Sequence, residues 1–398
     1  MKRILAVCLC LMMLLPALAI AEDTQLRVWH DCDEGIVSVM EARVNETLAG
    51  SGVSVAFEKK PGMTDQMKLY GNDAVNGPDM YLFAHDSIGM YAAMGITAPV
   101  SDILSEEALS DLLPMTREAC TYDGKLYQVP VYFETLLLLY NKALWEGEIP
   151  GTTEGLYEYM TAHTDAAAGT YALVNQHSGA YNVSPFIYGF GASIIDESAQ
   201  PHLDTDAMKE AVAYNSKFAA LQADGDYNTV TTLFNEGKAA AIIGGPWLVS
   251  GIRAAGIDLG ICPLSGIKLP NGNGLAPFSG VQGIGLLRHA AENKRDAVEK
   301  ALTALLDPQL GIELAVNSGC APANTRSYED ERVMADEMIV AIRDTAATAQ
   351  PMPNIPEMNV MWGPVESMLA AVNKNGADVD TAAAEAQAAA LQAIADMQ

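Results

Sequence analysis

The chain has 398 residues, half of them hydrophobic and 18% charged, and its length exceeds what one ordinary core organises, so two domains are expected. Fifty acids stand against 23 lysines and arginines, a net charge of −27. That field repels nucleic acid and anionic lipid and excludes both as partners, leaving neutral or cationic ones.

Lys2-Arg3, the apolar stretch Ile4 to Leu18 and the small residues Ala19-Ile20-Ala21 have the form of a signal peptide over 1–21, with Glu22 as the mature N-terminus. The apolar run is short for a membrane span. Removing it takes away two cations and no acid, which moves the charge from −27 to −29. Cys8 and Cys10 leave with it, and neither stands in a lipid-attachment context. Cys32, Cys120, Cys262 and Cys320 remain. None forms Cys-x-x-Cys, which argues against a zinc ribbon or a thiol-redox site, and spacing alone gives no connectivity.

Leu26 to His30 reads as a strand, and Ile36, Val37, Met40, Val44 and Leu48 then recur at helical spacing. Val53 to Glu58 and Met80 to Ala84 are further strands, the second running into His85-Asp86. Leu136 to Tyr140 reads as a buried strand, too short to span a membrane. Ala239 to Ile243 is a strand stopped by Gly244-Gly245, after which Pro246-Trp247 opens a helix. Gly147 to Thr153 and the Gly/Pro/Asn-rich stretch Leu264 to Phe278 are loops. Ala297, Val298, Ala301, Leu302 and Leu305 mark an amphipathic helix closed before Pro308, and an alanine-rich helix runs from about Thr381 to Met397. Strands alternating with helices predict an α/β chain built on parallel sheet. Between the last two helices, Pro353 and Pro356 are expected to hold an extended backbone that delivers Trp362 to a helix start at Gly363-Pro364.

The chain carries no His-Glu-x-x-His, P-loop, Gly-x-Ser-x-Gly or dinucleotide fingerprint, and its six histidines show no metal-ligand spacing, so neither cofactor nor metal is expected. Ser265-Gly266-Ile267-Lys268 matches Ser-x-x-Lys but sits in a loop without partner motifs. Aromatics stand where elements start or stop: Phe83, Tyr181, Trp247 and Trp362. Acids stand at comparable points: Asp31, Asp33, Asp86 and Glu134. Flat rings stack on the apolar face of a pyranose, and carboxylates accept hydrogen bonds from its hydroxyls, so the set suits a neutral sugar. Any one of the rings also reads as core packing, and any one acid as a helix cap. Asp86 and Glu134 could also serve as the carboxylate pair of a secreted glycoside hydrolase.

Four patches stand out: Asn76-Gly77-Pro78-Asp79 on to Phe83-Ala84-His85-Asp86; Tyr122-Asp123-Gly124-Lys125-Leu126 with Val129-Pro130 and Glu134 through Tyr140-Asn141-Lys142; Phe234-Asn235-Glu236-Gly237-Lys238 through Gly245-Pro246-Trp247; and Met352-Pro353-Asn354-Ile355-Pro356 to Trp362. Together they resemble the maltose/maltodextrin-binding branch of the extracytoplasmic solute-binding proteins of ABC importers. The resemblance covers nearly the whole mature chain, and the last patch is the most specific to that branch. It implies a two-lobe periplasmic-binding-protein (Venus-flytrap) fold of class II type. One lobe would be 22–131 with 283–330 and the other 134–278 with 334–398, with hinge crossings near 132–135, 279–282 and 329–333. By the same resemblance Trp247 and Trp362 match stacking tryptophans and Tyr181 sits near a stacking tyrosine. Asp33, Asp86 and Glu134 match acceptors for sugar hydroxyls, and Phe83 stands where a tryptophan is usual. Glu34 replaces a lysine, and Ser87 and Glu366 replace arginines. The implied role is a non-catalytic, monomeric capture subunit. It would sit in the periplasm, or on the surface of a host without an outer membrane, and deliver a maltodextrin-like oligosaccharide to an ABC permease and its ATPase. A different oligosaccharide or a non-sugar solute is the alternative within that role.

Overall fold

The first apolar run forms β1 (Thr24–His30), and Asp33 stops it by capping α1 (Glu34–Thr47): its carboxylate accepts the Gly35 backbone N–H. The helix buries Ile36, Val37, Met40 and Val44, the spaced apolar positions of the sequence. The computed structural model describes residues 24–222, 225–346 and 348–397, so the leader assigned to 1–21 lies outside the described residues. β2 (Val53–Lys59) and β3 (Met80–Ala84) lie on either side of β1, both parallel to it. Next come β4 (Gln128–Thr135), buried throughout, and β5 (Leu137–Asn141), joined by the buried Leu136. β6 (Tyr171–Val174), α2 (Ala180–Gly189), β7 (Ala239–Gly244), α3 (Val249–Ala254) and β8 (Leu259–Cys262) follow. The chain then returns through β9 (Phe278–Leu287) to α4 (Arg295–Leu305), α5 (Pro308–Ser318) and β10 (Ala321–Pro322), and ends in α6 (Trp362–Asn375) and α7 (Val379–Ala395).

The strands divide into two main sheets. The larger runs β10-β4-β9-β3-β1-β2, and the smaller β8-β5-β7-β6. Neither is purely parallel, which corrects the expectation from strand–helix alternation. β9 is antiparallel to both β3 and β4, and β5 is antiparallel to both β7 and β8. The reason is the route of the chain. It leaves the larger sheet along β4 and re-enters along β9, so these neighbours run in opposite senses, while the helix-linked β1, β2 and β3 stay parallel.

β5 shows how the sheets share a core. Leu137 and Leu139 belong to a cluster with β1, β3, β4 and β9, while Leu136 and Leu138 face a second cluster formed with α2, α6 and α7. Alternation along one strand thus commits its two faces to two cores. Among the described residues no helix is long and apolar enough to cross a membrane, and Cys32, Cys120, Cys262 and Cys320 are free thiols.

Two local readings change. The proline-rich lead-in to Trp362 is extended only as far as Ile355 (φ −74, ψ 151); Pro356–Val360 then wind into a 3-10 turn. Pro356 opens that turn, where its missing N–H costs nothing. The loops 147–153 and 264–278 also hold each other. Thr153 N donates to Lys268 O (2.8 Å) and Lys268 N to Gly151 O (2.9 Å). The final helix starts at Val379 because Asp378 caps it, accepting the Thr381 N–H at 3.1 Å. Asp378→Ala is expected to lower stability by about 1 kcal/mol, read from the urea midpoint, without altering the fold.

Candidate functional site

β3 and β4 of the larger sheet end at a cleft of about 720 Å³ that is closed on its other side by the starts of α2, α3 and α6. All seven residues singled out from the sequence line it: Asp33, Phe83, Asp86, Glu134, Tyr181, Trp247 and Trp362. Phe83 comes from β3, and Asp86 from the 3-10 turn His85–Ser87 just beyond it. Glu134 sits near the end of β4, and Tyr181 in the first turn of α2. Trp247 follows Gly245-Pro246 in a 3-10 turn leading into α3, and Trp362 is the first residue of α6.

The rings rest on Phe278, a fully buried residue at the start of β9. Tyr181 stacks on it at 6.2 Å and Trp362 meets it edge-on at 5.9 Å. Trp247 in turn meets Tyr181 edge-on at 6.1 Å. These contacts fix the orientation of three cleft rings while leaving them partly exposed.

The acids divide into two kinds. Asp86 and Glu134 are buried, 7% and 8% exposed. Each has one neutral side-chain donor: Trp362 Nε1 to Asp86 at 3.3 Å, and Gln282 Nε2 to Glu134 at 2.9 Å. Burial pushes Asp86 up to about 6 and Glu134 up to about 7, the donors only partly offsetting it. Asp33, Asp31 and Glu366 lie nearer the rim. Asp33 realises both readings made of it: it caps α1, and it also accepts Ser250 Oγ of α3 at 2.9 and 3.0 Å. That bond joins the start of α1 to α3.

Several lining residues escaped the sequence reading. Tyr132, Gln282, Cys32, Met352 and Asn359 all face the cleft. Gln282 is placed by a bulge in β9 between Gln282 and Gly283, a distortion that re-aims a side chain. His85, behind Asp86, joins three segments of the chain: Nδ1 accepts Val281 N–H at 3.0 Å, so Nε2 carries the proton and donates to Met352 O at 2.9 Å. Burial lowers it to about 4, keeping the ring neutral. The one signal available was position, since Tyr132 and Gln282 lie on the stretches expected to cross between lobes. Among the described residues no cluster of His, Cys, Asp and Glu could hold a metal ion.

Residues 42–341 match the family described as "Bacterial extracellular solute-binding protein". The chain belongs to that family. As a solute-binding protein it is 29% identical over 361 residues to the maltotriose-binding protein of Pyrococcus abyssi (strain GE5 / Orsay), covering 89% of this chain and 78% of that one. It is 29% identical over 379 residues to the galactooligosaccharide-binding protein of Bacillus subtilis (strain 168), covering 90% and 86%. Its fold matches the crystal structure of a cyclo/maltodextrin-binding protein complexed with maltotetraose, with a TM-score of 0.78 and 25% identity over 94% of this chain and 98% of that one. The two-lobe α/β architecture is therefore that of a solute-binding protein.

Proposed function

We propose that this solute-binding protein captures a maltodextrin-like oligosaccharide in the interlobe cleft and passes it to a membrane permease and ATPase without altering it. The observation that carries the reading is the cleft wall itself. Phe83, Tyr181, Trp247 and Trp362 offer rings to pyranose faces, and Asp33, Asp86 and Glu134 offer acceptors to hydroxyls. The named ligands of the relatives, maltotriose among them, support the same chemistry. The galactooligosaccharide-binding relative, equally similar, supports a second candidate sugar.

The chain acts as a monomer outside the cytoplasm after loss of residues 1–21. Its lobes are 22–131 with 283–330 and 134–278 with 334–398, turning about 132–135, 279–282 and 329–333. Sugar need only bind the closed arrangement better than the open one to shift the balance. Asp86 and Glu134 are both pushed in the same direction by burial. A hydrolase instead sets its two carboxylates apart, one acid and one ionised, so the pair suits binding better than cleavage.

Titrating the mature protein with maltose through maltoheptaose, and with galactooligosaccharides, tests the reading by heat or tryptophan emission. Saturable binding of the maltodextrins supports it, and no response at millimolar sugar removes it. New reducing ends after incubation would instead reveal a hydrolase. Ser250→Ala removes the bond to Asp33 and leaves the α1 cap in place. It is expected to weaken sugar affinity by about 0.5–1.5 kcal/mol in the same titration.

A further inference from the structure

The cleft is electrically lopsided. Five carboxylates line it, those of Asp31, Asp33, Asp86, Glu134 and Glu366, against one cation, Lys59. Lys59 is engaged elsewhere: its ammonium donates to Cys32 O at 3.1 Å and lies 4.0 Å from Glu34. The rim acids also have partners, Asp33 the Ser250 hydroxyl and Asp31 the Gly62 N–H. The two buried carboxylates do not share in this. Among the described residues Asp86 and Glu134 have only neutral side-chain donors, an indole and an amide, and no ion pair. Buried charges in proteins are ordinarily paired with an opposite charge.

A second, independent observation lies beside them. Tyr181 lines the cleft, and its buried hydroxyl makes no hydrogen bond among the described residues while lying in the field of both Glu134 and Asp86. A phenol oxygen held there offers an acceptor as well as a donor. Trp247 and Trp362 line the same cleft, and aromatic rings attract cations as well as sugar rings. A neutral sugar satisfies the hydrogen bonds of this wall but leaves its charge uncompensated. A protonated primary amine supplies three N–H donors and the missing positive charge together.

We propose that the cleft prefers an oligosaccharide carrying a protonated amine, an amino sugar, over its neutral counterpart, with the ammonium seated between Asp86, Glu134 and the Tyr181 hydroxyl. This rests on the sugar-capture reading and narrows it to a substrate class. The ammonium replaces its water shell with two carboxylates and a phenol oxygen. The neighbouring tryptophan faces supply the cation–π part of the same environment. N-acetylation of the same sugar removes the charge and two of the three donors, so it abolishes the preference while keeping the ring.

The test is calorimetric titration of the mature protein with three ligands: maltotriose, a maltotriose in which one primary hydroxyl is replaced by an amine (placed in turn on each glucose unit), and the N-acetylated form of each amine. Near neutral pH at least one amine is expected to bind roughly tenfold or more tighter than its N-acetylated form and than maltotriose, as a buried charge pair with cation–π support requires. Because the pair is buried, the preference persists at high salt. In Glu134→Gln and Asp86→Asn the ratio of amine to maltotriose affinity falls toward one. If maltotriose binds and no amine binds better than its acetylated form, the inference is overturned and sugar capture stands. If none of the three binds, both fall.

Discussion

Trp362→Ala will weaken oligosaccharide binding more than Trp247→Ala, although both remove the same ring. Each substitution takes away a stacking face, and the lost apolar burial is worth roughly 1–3 kcal/mol per ring. Trp362 has a further role, because its indole N–H donates to the buried Asp86 carboxylate at 3.3 Å. Without it Asp86 keeps no side-chain donor among the described residues, and leaving a buried carboxylate short of a partner adds about 1 kcal/mol or more. Among the described residues no comparable bond ties Trp247, which meets Tyr181 edge-on. Trp362→Phe separates the two contributions, since it keeps a ring against Phe278 and loses the N–H. Titration calorimetry with maltotriose reads all three variants. The expected order of loss is Trp362→Ala first, then Trp247→Ala, with Trp362→Phe smaller than Trp362→Ala. Unchanged affinity in both alanine variants would make these rings core residues only. Equal losses in the two Trp362 variants would assign the effect to the N–H and remove the stacking role.

The contrast between these two tryptophans also marks what a sequence carries. Both stood out as large rings at helix starts, because Pro246 and Pro364 are local signals of a first turn. The strands β1, β3, β5 and β7 were legible for the same reason, being short apolar runs bounded by residues that stop them. Phe83 and Asp86 followed as the residues at the end of one such run. Glu134 and Tyr181 stand at element ends in the same way, an acid before the Leu-rich β5 and a ring at the start of α2. What stayed hidden depends on pairing at a distance. Gln282 reaches Glu134, 148 positions earlier in the chain, through the register of β9 on β4 and a bulge that no local pattern announces. Phe278 read as the end of a loop, yet the approach of Tyr181 and Trp362 makes it the base of the cleft wall. His85 belonged to a family-like motif, but its bonds to Val281 and Met352 exist only once three distant segments meet. Strand direction was misjudged on the same grounds, because alternation of strands and helices does not reveal that the chain leaves one sheet along β4 and returns along β9.

Affinity for a neutral oligosaccharide will rise with pH between about 5 and 8, and Glu134 will set most of that slope. In the empty cleft burial raises Asp86 from 3.8 to about 6 and Glu134 from 4.5 to about 7. The groups around them do not compete for charge at these pH values. Burial pushes the phenols of Tyr91, Tyr132 and Tyr181 upward, holds the Cys32 thiol at about 12 and raises the Cys320 thiol as well. Sugar hydroxyls donate to the ionised carboxylates and favour that form, so binding expels protons and strengthens as pH rises through about 6 to 7. Folding of the empty protein follows a different sign. A carboxyl raised in the folded state contributes stability that is fully present below its ordinary value and lost as pH rises through the raised one. His85, lowered from 6.5 to about 4, contributes stability present above 6.5 and lost as pH falls toward 4. The two slopes oppose each other, so the melting temperature of the empty protein will change less with pH than the carboxyls alone would dictate. Glu134→Gln removes the charge-assisted acceptor. It is expected to cost about 1–2 kcal/mol of binding at pH near 8 and little near 5, where the wild-type carboxyl already holds its proton. The wild-type and variant affinities should therefore converge as pH falls. A variant that retains the full wild-type slope would mean that Glu134 is not the titrating group, and Asp86→Asn would then have to flatten the profile for the cleft carboxylates to be acting as sugar acceptors.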